Sequence, residues 1–166
     1  PPYPTSLQFV DSLRSATPDS LKYLIADMFE KITLYELKTD SVNMRDTTGG
    51  KFAVDLYVTA KKLHADSLGK ENETPMRDWI DIGLFTKAPA KPDPMIDGKV
   101  GVPIYLQKHQ IVSGPQRVTV VVDQKPYRAG IDPLHKLIDR ITTDNTVGVR
   151  DRTKAVAKPS KVTPKS

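Results

Sequence analysis

Lys51–Leu63 reads KFAVDLYVTAKKL and alternates apolar and polar residues with a period of two. Phe52, Val54, Leu56, Val58 and Ala60 fall on one side; Ala53, Asp55, Tyr57 and Thr59 fall on the other. Successive side chains of a strand point to opposite faces, so the even positions are expected inward. Gly49-Gly50 marks the turn before it, and upstream ITLYELKT puts Ile32 and Leu34 on one face of another period-two segment. Downstream, WIDIGLF alternates again through Ile80, Ile82 and Leu84. Beyond the proline-broken KAPAKPDP, the stretches VGVPIYLQKHQIV and RVTVVVDQKPY supply the last two expected strands. Five or more strands with turn signals and no helices between them predict a mainly β chain, an antiparallel immunoglobulin-like β-sandwich.

Two helices are expected to precede it. In TSLQFVDSLRSA, Thr5 or Ser6 can cap, and Leu7, Val10 and Leu13 recur every third residue. In TPDSLKYLIADMFEKI, Thr17 fits an N-cap, Pro18 the first helical position and Asp19 the first turn. Leu21, Leu24, Ile25, Met28 and Phe29 make a continuous apolar stripe, wider than Leu7, Val10 and Leu13 can cover. The expected organisation is a helical segment over 1–30, a sandwich over 31–145 ending in a short helix, and a basic, disordered tail over 146–166.

The formal charge of +5 sits in that tail. Arg150 to Ser166 holds six basic residues and one acid, and the remaining 149 residues balance at 19 basic and 19 acidic. A neutral body with a basic tail gives no nucleic-acid surface. The tail lysines are spaced out and lack an apolar face, so no membrane surface is assigned to them either. The absence of cysteine excludes disulfides, thiolate metal sites and a cysteine nucleophile. Because the chain starts at Pro1 with no signal-peptide pattern behind it, it is expected to be a piece of something longer.

Catalytic patterns are missing. His64, His109 and His135 stand alone, without the H-E-x-x-H spacing that holds zinc, and are expected to be surface residues. No G-x-S-x-G, P-loop or G-x-G-x-x-G is present. Asp78 and Asp81 flank Trp79, but residues three apart on a strand point to opposite faces and cannot converge on a substrate. The expected reading is Trp79 as core or inter-domain filler between solvated aspartates. Asp132, Asp139, Asp144 and Asn145 offer oxygens for calcium without the ligand rhythm of an EF-hand loop, so no metal is assigned.

Read in order, PPYPTSLQFVDSLRSATPDSLKYLIADMFEKITLYE, KFAVDLYVTAKKL, DWIDIGLF, VPIYLQKH and VTVVVDQKPYRAGIDPLHKLIDR resemble one family. It is the C-terminal region of bacterial membrane proteins in which an ABC-type permease is fused to an aminopeptidase N-like zinc metallopeptidase. The resemblance spans about residues 1–145. It implies a helical end of the peptidase region followed by an accessory sandwich on the periplasmic, extracytoplasmic side of the inner membrane. The zinc-binding and exopeptidase motifs of that family lie upstream, so this fragment is expected to be non-catalytic and to hold no cofactor. Zinc would belong to the catalytic domain of the same polypeptide, which is the expected partner. Contact with the membrane would come only through the parent's spanning segments.

Leu21, Met28, Phe29 and Trp79 are the candidate inter-domain contacts. Arg128, Gly130, Asp132, Pro133, Asp139 and Arg140 mark the segment KPYRAGIDPLHKLIDR, Lys125–Arg140. That segment is expected to be a corner at the exit of the last strand. Pro126 would end the pairing, Gly130 would allow a tight bend, and Asp132-Pro133 would start a short helix packing Leu134, Leu137 and Ile138 on the sandwich. Arg128 is expected to pair with Asp132 or Asp139, and Asp139 with Arg140 or Arg128. A rival reading is a free-standing extracytoplasmic module that binds peptide or glycan through the loop Lys87–Lys99.

Overall fold

A computed structural model describes residues 3–87 and 101–152 of the chain. The fold is mainly β, with two helices ahead of two facing sheets. Helix α1, Ser6–Ala16, begins at Thr5, whose hydroxyl accepts from Gln8 N–H while the Gln8 side chain accepts from Thr5 N–H. This reciprocal capping box satisfies two otherwise orphaned donors. Helix α2, Lys22–Phe29, follows a 3₁₀ turn at Asp19–Leu21. Thr17 is not its cap. The Thr17 hydroxyl donates back to Leu13 O, closing α1 instead of opening α2. Among the described residues no helix is long and apolar enough to cross a membrane.

Among the described residues the strands are β1 Ile32–Asp46, β2 Phe52–Ala65, β3 Glu71–Thr74, β4 Arg77–Phe85, β5 Pro103–Val112, β6 Gly114–Val122, β7 Arg128–Ile131, β8 Thr146–Gly148 and β9 Arg150–Asp151. In the first sheet β2 lies between β1 on one side and β3 and β6 on the other, and β9 joins β1 in parallel. The second sheet has the order β5-β4-β7-β8, all antiparallel. Gly49 and Gly50 have φ of 80° and 73° and make the β1–β2 turn, a left-handed conformation that suits residues without Cβ.

Val54, Leu56, Val58 and Ala60 point into the core, opposite Ile80, Ile82 and Leu84 of the second sheet. Each large apolar side chain buried this way contributes about 1.5–3 kcal/mol relative to exposure. Strand β1 changes face along its length. Its register against β2 shifts between Thr39 and Ser41, so Tyr35 and Leu37 point inward before the bulge, and Val42 and Met44 after it. One extra residue inverts every later side chain, because the strand period is two. Ile32 and Leu34 do share a face, but it is the face away from the core.

The segment Lys125–Arg140 is not a corner. Arg128–Ile131 is an interior strand, paired with β4 on one edge and β8 on the other. Gly130 makes no bend. A Cβ there would lie 1.9 Å from Asn145 O and 2.7 Å from Thr146 Cα, so its hydrogen is what lets the chain at 145–146 approach. Residues 133–140 form turns and not a helix. Asp132 and His135 have φ of 39° and 50°, outside the helical range, and the Asp132 carboxylate accepts from Lys136 N–H and Leu137 N–H at 3.0 Å each. Ile138 O is drawn to the β1 edge, where it accepts from Tyr35 N–H.

Arg128 forms no ion pair with Asp132 or Asp139. It donates to the hydroxyl and carbonyl of Thr146, fastening β7 to β8. Asp139 instead accepts from Leu37 N–H at 3.0 Å, and because Leu37 O and Asp139 Oδ2 are both acceptors, the Asn145 amide must turn its Nδ2 to them and donate to both. The two side chains finish the edge of β1 where a neighbouring strand would otherwise stand. Arg140 pairs with Glu71 on β3. The boundary at 146 also moves, because 146–148 and 150–151 are strands; the remainder of the expected tail, 153–166, lies outside the described residues. Gly130→Ala should lower unfolding stability by about 3 kcal/mol or more, since backbone must move to admit the methyl. A denaturant midpoint unchanged from the parent chain would contradict this.

Candidate functional site

A group of buried ionisable side chains lies between the two sheets and α2. Continuing the inward row of β2 past Ala60 leads to Lys62 and His64, and continuing that of β4 back from Ile80 leads to Asp78. Lys62 and Asp78 therefore face each other between the sheets, with Lys62 Nζ 2.9 Å from Asp78 Oδ2. Asp27 descends from α2 and pairs with the same ammonium. All three side chains are less than a tenth exposed. Tyr35 OH donates to Asp78 Oδ2 at 3.0 Å, and the rings of Tyr23 and Tyr35 lie 5.1 and 5.8 Å from the ammonium. Aromatic faces at that range attract a cation.

His64 Nε2 stands 3.0 Å from Asp27 Oδ1. A carboxylate only accepts, so Nε2 carries the proton. His64 is thus a partner of the helix and not a solvent-facing residue. Burial alone would push the Lys62 ammonium down, but the hydrogen bonds and charges of Asp27 and Asp78 win and hold it above the ordinary lysine value. Burial and the adjacent Asp78 carboxylate drive the Tyr35 phenol upward as well, and burial raises Tyr23. A lysine held protonated is no nucleophile, and phenols held protonated are not bases. The arrangement is suited to holding three elements together.

The structure separates Asp78 from Asp81 as the strand period requires, but neither is solvated. Asp81 lies on the other face, 2.7 Å from Lys136 Nζ and 3.5 Å from Lys108 Nζ. Burial pushes its carboxyl up, yet the Lys136 hydrogen bond and the two ammonium charges bring it below the ordinary range. Asp132 N–H donates to Asp81 O, and the Asp132 carboxyl is raised by burial despite its two backbone donors. Pro133 covers Gly83 of β4, where a Cβ would meet the proline ring at 2.7 Å. Asp132 and Pro133 thus anchor a turn against the second sheet. Among the described residues, no group of three or more His, Asp or Glu side chains is placed to hold a metal ion.

The candidate inter-domain residues supply none of the cluster's charged groups. Trp79 is 43% exposed, so it is not core, and its N–H donates to Tyr23 OH at 3.1 Å. Met28 is 70% and Phe29 47% exposed, while Leu21 is half-buried. Phe29 meets Phe9 edge to face at 6.4 Å between centroids, joining the outer faces of the two helices. His109 accepts or donates at Tyr105 OH, 2.7 Å away, and burial holds its imidazole below the ordinary value. His135 is exposed. The loop proposed for ligand capture lies outside the described residues except for Lys87.

Lys62, Asp27 and Asp78 escape a search for catalytic motifs because their roles come from phase. The available signal was opposite charge at positions in step with the inward rows of β2 and β4. None of the known family models, curated proteins or solved structures matches the chain.

Removing one partner of a buried ion pair strands the others, so Lys62→Met should cost about 3–5 kcal/mol in chemical unfolding. Adding Asp27→Asn and Asp78→Asn to it should recover part of that loss; no recovery would show that the lysine acts by packing alone. As pH falls through the ordinary imidazole value of about 6.5, the unfolded chain takes up a proton before His109 does. Stability should therefore decline on acidification in that range, and less so in His109→Gln, as read by thermal midpoints across pH.

Proposed function

We propose that this chain is a non-catalytic β-sandwich domain that braces the catalytic domain of a membrane-anchored, zinc-dependent aminopeptidase-like protein on the extracytoplasmic side. The ordered motifs from PPYPTSLQF to KLIDR, which resemble the C-terminal region of such proteins, suggest the parent. The observation that carries the bracing role is the apolar surface where α1 and α2 meet, with Phe9 packed edge to face on Phe29 and Phe9, Met28 and Phe29 all exposed. Large apolar side chains grouped on one surface mark an interaction site more often than isolated ones do.

Bracing also requires stiffness between that face and the sandwich. Asp27 supplies it by inserting a charge from α2 into the buried pair between the sheets. A load applied at Met28 or Phe29 is transmitted to both sheets through contacts that cannot slide without exposing an unpaired charge. Interfaces between domains of one chain bury roughly 600–1,500 Å², an area that a two-helix face can supply.

Purified chain supplied with zinc should not hydrolyse an aminoacyl reporter, and it should bind the polypeptide encoded immediately upstream. Phe29→Asp should weaken that binding by roughly tenfold or more while leaving the thermal midpoint nearly unchanged. Robust hydrolysis by the chain alone, or no binding to the upstream polypeptide, would overturn the reading.

A further inference from the structure

A groove of about 380 Å³ runs between α2, the start of β1 and the turn at 136–138. Its walls are apolar: Leu24 and Met28 from the helix, Ile32 and Leu34 from the outward face of β1, and Leu137 and Ile138 from the turn. Ile32 and Ile138 are 55% and 67% exposed, although both belong to residue types that usually find cover. The charged groups on the groove are Asp27, Lys31 and Lys136. Asp27 is turned inward to Lys62 and His64, so the accessible charges are the two lysines. Lys136 shares Asp81 with Lys108, and Lys31 has no ion-pair partner among the described residues.

We propose that this groove is a docking site for a polypeptide segment that carries an apolar side chain beside a carboxylate. Shape and charge select that occupant. A concave site of this volume takes in one or two side chains, whereas a lipid surface is met by apolar residues that protrude. A second copy of the chain, docked groove to groove about a two-fold axis, would set concavity against concavity and lysine against lysine. A carboxylate next to an inserted leucine or phenylalanine would instead meet Lys31 at the rim, where a charge sets partner choice more than affinity. The groove adjoins Met28 and so continues the helical face described above. That the docking segment belongs to the upstream peptidase region rests on the proposed function; the chemistry of the groove does not.

The test is selection of random displayed heptapeptides on the purified chain, followed by binding of the enriched peptides in solution. Enriched sequences should place Leu, Met or Phe next to Asp or Glu. Ile138→Asp, at an exposed position, should weaken them by roughly tenfold or more. Lys31→Glu should do the same, and a peptide with Lys in place of its acid should regain binding to that variant. This charge reversal would not follow from a general disturbance of the fold. The proposal is overturned if no such motif is enriched, or if the peptides bind Ile138→Asp and Lys31→Glu as well as the parent chain. It is also overturned if the groove variants instead abolish binding to phosphatidylcholine–phosphatidylglycerol vesicles or self-association. Peptide binding without binding of the upstream polypeptide would defeat only the proposed function. Binding of that polypeptide unaltered by Ile138→Asp would defeat only the groove.

Discussion

Lys62 ties helix α2 and the two sheets together. The ammonium lies between Asp78 of the facing sheet and Asp27 of α2, with two tyrosine rings beside it. Withdrawing such ions from water costs several kcal/mol each, and their mutual attraction repays it only when geometry is good and the spare lone pairs are satisfied. Tyr35 and His64 supply those extra hydrogen bonds. A hydrophobic plug could close the end of a sandwich with equal stability. What the charges add is a directional contact for α2, whose Asp27 reaches the ammonium.

The same economy appears at the opposite face of β1. On the edge of β1 away from β2, the N–H and carbonyl of Leu37 are taken by Asp139 and Asn145. Thr39 adds a second tie, donating to Asn145 O at 2.6 Å and accepting from Ile131 N–H at 3.2 Å. Buried backbone groups need partners, and here the side chains of Asp139 and Asn145 supply them. Among the residues that give KPYRAGIDPLHKLIDR its distinctive look, Arg128, Gly130 and Asp139 join β7, β8 and β1, Asp132 and Pro133 anchor a turn on β4, and Arg140 reaches β3.

Apolar surface is distributed unevenly. The core face of β2 and β4 is fully covered, whereas α1, α2 and the turn at 136–138 leave phenylalanine, methionine and isoleucine in solvent. Ile32 and Leu34 belong to this outer region because the bulge near Asp40 gives the two halves of β1 opposite inward phases. A strand that changes face serves two surfaces: Val42 and Met44 complete the core, and Ile32 and Leu34 line the groove.

Period-two alternation was legible from Lys51 to Leu63 and from Trp79 to Phe85, and it sufficed to define a mainly β chain; that β2 and β4 face each other was decided by the stacking of the sheets. The helical stripes and the glycine turn were legible for the same reason: each signal is complete within a few neighbouring residues. Three-residue β8, four-residue β7 and two-residue β9 carry no period of their own. They became strands only because Thr146 could close on a glycine and because Asn43 and Met44 offered an open edge. Asp27, Lys62 and Asp78 are likewise ordinary charged residues in the linear chain. Burial made them a cluster, because a charge on an inward row must find its opposite across the sandwich, and which opposite it finds depends on how the sheets and helix are stacked.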